Sequence, residues 1–254
     1  MSQPLYRAGV GRTAVWAILR AELRDVPERI GGARGTLLVA AFLAGLGVYV
    51  PWDLGLDFME PFLQAVYACS APLFQSKITV TSFSEDKNRR MLEGWWDAPC
   101  PQPEFLLGKI AATAVAGFAG ALMLYVLALA TLTIAHGGGR VMAPPAAFVL
   151  PLLVLGAAFS ALTACLGAML ALRVQTPAEA ERSVRMAFLA FLAGLLLLGP
   201  YAPGRVKGWI SSLFLPDVMP WAALAAVALC AALSFALWRW CLDRIENARP
   251  LTIS

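Results

Sequence analysis

The side chains best suited to surface chemistry are concentrated in one stretch, Phe83 to Lys109, which lies between two long apolar runs. It reads Phe-Ser-Glu-Asp-Lys-Asn-Arg-Arg-Met-Leu-Glu-Gly-Trp-Trp-Asp-Ala-Pro-Cys-Pro-Gln-Pro-Glu-Phe-Leu-Leu-Gly-Lys. At helical spacing Met91, Leu92, Trp95 and Trp96 fall on one side, with Glu85, Asp86, Arg89, Arg90, Glu93 and Asp97 around the rest. An apolar anchor framed by charges of both signs suits recognition of a partner rather than catalysis. Pro99, Pro101 and Pro103 stop such a helix, because each lacks a donor and disfavours helix before it. Glu104 then opens the next segment at the positive end of a helix dipole. The pattern predicts a short helix at about 84–98, held beside the membrane by a stiff turn. The bland alternative is that the four large apolar residues only rest against lipid headgroups.

Catalytic constellations do not emerge elsewhere. Gly108-Lys109 is followed by Ile110 and has Pro103 at the other glycine position, so it is no phosphate loop. Neither a His-Glu-x-x-His zinc motif nor a Gly-x-Ser-x-Gly nucleophile elbow occurs. The single histidine, His136, sits in a glycine-rich turn and is expected to be solvated. Cys69, Cys165, Cys230 and Cys241 lie in or at the ends of apolar runs, Cys100 lies in the proline turn, and no pair has metal spacing. They are expected to be small apolar fillers, with no metal or cofactor bound by this chain.

The elements that position these residues follow from hydropathy. Of 254 residues 59% are hydrophobic and 14% charged, with a mean hydropathy of +0.69. Soluble domains carry about 25% charged residues, so an all-α integral membrane protein is expected. Crossing a hydrocarbon core of ~30 Å takes about 20 residues. Six such runs are read, near 36–52, 61–83, 105–134, 146–171, 186–202 and 218–241. Arg and Lys sort strongly among the connections: fifteen flank the two termini, the second connection and the fourth, and three occupy the others. Basic residues are retained on the cytoplasmic side, so both termini and the Phe83–Lys109 stretch are expected there. The net charge of +4 needs no nucleic acid to explain it.

Before the spans, residues 1–35 form a tail and an amphipathic helix from Ala14, with Trp16, Leu19, Leu23, Val26 and Ile30 as its apolar stripe. Arg20, Glu22, Arg24, Asp25, Glu28 and Arg29 fall elsewhere on it. This helix should lie in the interface plane, be kinked or ended by Pro27, and turn at Gly31-Gly32. Span two carries Gln64, Ser70, Pro72, Gln75, Ser76 and Lys77, its least lipid-like positions, with Lys77 placed to snorkel. Span three repeats small residues at four-residue steps, Ala112, Ala116, Gly120 and Thr113, Gly117, Ala121, and span four has Gly156, Ser160 and Gly167. That spacing lets helices approach closely. Thr176, Pro177 and Glu179 mark a helix start leading into span five, and a short tail, 243–254, follows span six.

Together the interfacial helix, the six spans and the loop after span two resemble the membrane subunits of ABC exporters of the type-2 permease family, also called type V exporters. The resemblance is carried by Phe83, Glu85, Leu92, Glu93, Pro99, Leu106, Gly108 and Lys109, and by Arg20-Ala21-Glu22-Leu23-Arg24 in the first helix. Arg90-Met91 replaces the family's usual Gly-Thr, and Trp95-Trp96 and the triple proline depart from its pattern. The resemblance implies a transmembrane permease subunit, itself no enzyme, in the cell membrane. Two copies, or one copy and a homologue, would pair with separate cytoplasmic ATPase subunits that hold the ATP and Mg. The loop helix would be the coupling helix and the amphipathic helix within residues 1–35 the elbow. Glu85, Asp86, Arg89, Arg90, Met91, Leu92, Glu93, Trp95 and Trp96, with Arg24 and Asp25 on the elbow, would contact the ATPase. Phe42, Gln75, Ser76 and Thr79 would line the substrate path, for a hydrophobic or amphipathic cargo such as a drug or lipid.

Two other classes compete with that expectation. A secondary carrier would need coupling-ion groups at mid-membrane and inverted repeats, and neither is evident in the sequence. A membrane anchor or assembly factor would recruit a soluble partner through the same loop without transporting anything.

Overall fold

The computed structural model describes residues 12–88, 102–173 and 218–247, with isolated positions between 178 and 212. All regular structure among the described residues is helical. Helix α1, Arg12–Ile30, runs on through Pro27 and ends only at Gly31 and Gly32. Both glycines have positive φ, +112° and +59°, a backbone region that L side chains rarely adopt. Pro27 therefore does not end the helix, and the chain turns at Gly31-Gly32 as expected.

Span one is one apolar rod of changing pitch, Gly32–Met59. It comprises α2, Gly32–Ala44, a π-helical turn, Gly45–Tyr49, α3, Val50–Leu54, and a 3-10 turn, Gly55–Met59. Pro51 explains the change, since it has no N–H to give to Gly47 O. Val50 N–H reaches back five residues to Gly45 O, which also leaves Leu46 O without its helical donor.

Span two, expected as one helix, is broken. Helix α4, Pro61–Ala68, is separated by Cys69 and Ser70 from α5, Ala71–Asn88. Pro72 again supplies the reason: it disfavours helix at the residue before it and cannot donate to Ala68 O. Helices α6, Gln102–His136, α7, Ala146–Arg173, and α8, Met219–Asn247, are long and continuous, with Pro151 tolerated inside α7. Among the described residues four helices are long and apolar enough to cross a membrane: Gly32–Met59, α6, α7 and Met219–Ile245. The described part of the protein is thus all-helical, with apolar helices that mark it as membrane-embedded. Span five and the segment up to Pro216 lie outside the described residues apart from isolated helical positions.

Helices α5, α6 and α7 pack mutually, α8 lies along α7, and α1 lies across α6 and α5. Among the described residues two larger apolar cores result, beside a small cluster of Ala68, Leu152 and Met219. One joins Ile18, Phe83, Leu106, Ile110, Ala168 and Cys241 at the α1 end of the bundle. The other joins Phe58, Tyr67, Leu124, Tyr125, Ala128 and Leu132 at the opposite end. Small residues set the approach between helices. A methyl at Gly117 would collide with Gln75, one at Gly156 would press on Ala68 O, and one at Gly167 would meet Thr79 at 2.8 Å.

Candidate functional site

The two helices that bracket the loop, α5 and α6, are tied to α1 by a buried charge cluster. Ile18 and Glu22 stand one turn apart on α1 and meet the adjacent pair Gly108 and Lys109 on α6. With no side chain at 108, Ile18 can press against α6, where an added methyl would lie 2.9 Å from it. Lys109 is 2% exposed and its Nζ donates to Glu22 Oε1 at 3.1 Å, Ser82 O at 3.0 Å and Ser82 Oγ at 3.1 Å. It also sits 5.5 Å from the ring centres of both Phe83 and Phe105. Ser82 Oγ in turn donates to Glu22 Oε2 at 2.9 Å, and Arg29 Nη1 donates to the same oxygen. A lone buried ammonium would cost several kcal/mol, roughly the penalty that pairing and hydrogen bonding here offset. Burial by itself raises the Glu22 carboxyl, but the Lys109 charge, then the Arg29 hydrogen bond and charge, outweigh it and hold the group below its usual 4.5.

Lys77 completes this end. Its Nζ donates to Ile30 O at 2.8 Å, so an exposed lysine of span two caps the C-terminus of α1. It thereby fastens the end of α1 to α5.

The neutral side chains of the spans form separate knots. Gln75 is 1% exposed; its Nε2 donates to Ser160 O at 3.1 Å and to Thr163 Oγ1, and its Oε1 accepts from Ser160 Oγ at 2.9 Å. Thr79 Oγ1 donates to Gln75 O at 2.9 Å. Farther along, Gln64, fully buried, donates to Phe58 O at 3.1 Å and accepts from Tyr125 Oη. The carbonyls freed in span one are both filled: Tyr67 Oη donates to Leu46 O at 2.7 Å and Thr131 Oγ1 to Gly47 O at 3.1 Å. His136, though exposed, is not merely solvated, since its Nε2 donates to Trp52 O at 3.1 Å and its ring packs on Gly55.

Among the expected partner residues, Arg24 and Asp25 are exposed on α1, with Asp25 4.0 Å from Arg29. Glu85 and Asp86 lie in the last turns of α5, which continues span two without a stop into the loop. Arg89, Arg90, Met91, Leu92, Glu93, Trp95, Trp96 and the proline turn lie outside the described residues. Of the expected path residues, Gln75 and Thr79 face α7 inside the bundle. Phe42, on α2, packs edge to face on Phe74 with centroids 5.9 Å apart. Ser76 is helical, and its side chain is outside the described set. Sequence reasoning did not bring Glu22, Arg29, Ser82 and Lys109 together. Its two motif fragments, Arg20–Arg24 and Gly108-Lys109, each contain one half of the central ion pair.

The chain matches no protein-family profile and no curated protein.

Proposed function

We propose that this chain is the transmembrane permease subunit of an ATP-driven ABC exporter in the cell membrane, with six spans and both termini in the cytoplasm. The loop at about 84–98 is its coupling helix, read by separate ATPase subunits that carry ATP and Mg. A second copy or a homologue completes the translocation path for a hydrophobic or amphipathic cargo. The reading is carried by the junction in which Lys109, at the start of α6, holds Ser82, near the end of α5, and Glu22 on the elbow. Whatever pushes on the intervening loop pushes on all three helices at once. A link that did not bind the elbow to both flanks would dissipate such a push.

The test is recovery of the subunit from gently solubilised native membranes. A soluble protein with a phosphate-binding loop is expected in equal amount, and Leu92→Asp with Glu93→Arg should remove it. A secondary carrier is the reading favoured by the broken span two, because carriers build ion sites at discontinuous helices. Clean recovery of the functional subunit alone would favour that reading.

A further inference from the structure

Spans one and two both change at the same level of the bundle. The Phe42–Phe74 ring contact ties α2 to α5. The π turn starts three residues beyond Phe42, and the break at Cys69–Ser70 lies four residues before Phe74, each about one helical turn from that contact. Each irregularity has its own proline, Pro51 or Pro72. Between them, residues 45–70 form a cap made of the π turn, α3, the 3-10 turn and α4. The cap has its own apolar seat, in which Phe58 and Tyr67 pack on Leu124, Tyr125, Ala128 and Leu132 of α6, apart from the core at the α1 end.

Its fastenings are few, neutral and side-chain based. From α6, Thr131 Oγ1 holds Gly47 O, Tyr125 Oη holds Gln64 and His136 Nε2 holds Trp52 O, while within the cap Tyr67 Oη holds Leu46 O. Hydroxyls thus brace the joint in span one. The joint in span two has no such brace: Ser70 Oγ is buried, with the residue 5% exposed, and has no partner among the described residues. Π-turns and discontinuous helices recur where membrane helices bend.

We propose that residues 45–70 are a gate that swings as one piece about the π turn and the Cys69–Ser70 joint, latched on α6 by Tyr125, Thr131 and His136. Under the exporter reading, on which the word gate rests, this is the outer end of the path.

Hydrogen exchange of the full chain in lipid nanodiscs tests the hinge without requiring transport. In Tyr125→Phe, which removes the bond from α6 to Gln64, amides across 45–70 should exchange about fivefold faster, the effect of one lost hydrogen bond, with 12–44 and the rest of α6 unchanged. Thr131→Val should give the same block. Acceleration confined to residues 45–50, or spread equally into α6, would overturn the proposal. Failure of the ATPase recovery would withdraw the exporter reading and leave the block pattern standing.

Discussion

The two ends of the bundle handle buried polarity differently. At the α1 end, Lys109, Glu22 and Arg29 form a charged cluster with Ser82, joining three helices. About 24 Å farther along α6, at 1.5 Å per residue, Tyr125, Gln64, Tyr67 and Thr131 form neutral bonds, two of them to carbonyls freed by Pro51 and the π turn. The charged end is costly to break and joins helices far apart in sequence, so it suits a part that must move as a unit. The neutral end is held by bonds worth about 1 kcal/mol each, so it suits a part that must let go.

The largest effect should come from halving the ion pair. Lys109→Met leaves Glu22 partly buried without its main counter-charge, and thermal unfolding of the purified protein should show a loss of about 3–5 kcal/mol. Adding Glu22→Gln should restore part of that loss; simple additivity would mean that the pair does not act as a unit.

Next in size is Gly117→Ala, whose methyl collides with Gln75. A cost of about 1–3 kcal/mol is expected, relieved when Gln75→Ala is added. A neutral result would show that α5 and α6 can separate there freely.

At the far end Tyr125→Phe removes one neutral bond to Gln64 and should cost only about 1 kcal/mol. A cost matching that of Lys109→Met would erase the contrast between the ends.

The smallest effect is conditional on pH. Because the Glu22 value is lowered in the folded state, its contribution is complete above the unfolded value near 4.5 and is lost as pH falls through the folded one. Unfolding temperatures followed from roughly pH 6 to pH 3 should fall in the wild type and fall less in Glu22→Gln. Parallel profiles would remove Glu22 from the acid response.

Hydropathy made α6, α7 and α8 legible, because long apolar runs have few alternatives in a bilayer. The small-residue steps marked the contacts as well: Gly117 and Ser160 both meet Gln75. Glu22 was hidden because a charge on an amphipathic helix reads as its solvent face, while its partner, Lys109, lies on another helix far along the chain. On α1 the buried residue is Ile18, on the Glu22 row, while Trp16 from the expected apolar stripe is 66% exposed. The π turn was hidden because one extra residue per turn barely alters a hydrophobic run, although Gly45, Gly47 and Pro51 were its signal. Ser70 and Pro72 had stood out as unlike lipid-facing residues, but only the backbone shows that they end one helix and begin another.

The most direct test of the claim that the charged end is the end a partner reads is photo-crosslinking in native membranes. A photoreactive phenylalanine analogue would be placed either at Leu92 in the loop or at Leu56, which is exposed at the opposite end. The account predicts an adduct with a soluble nucleotide-binding ATPase from position 92 and none from position 56. Absence of that adduct at 92, or its equal formation from both positions, would contradict it.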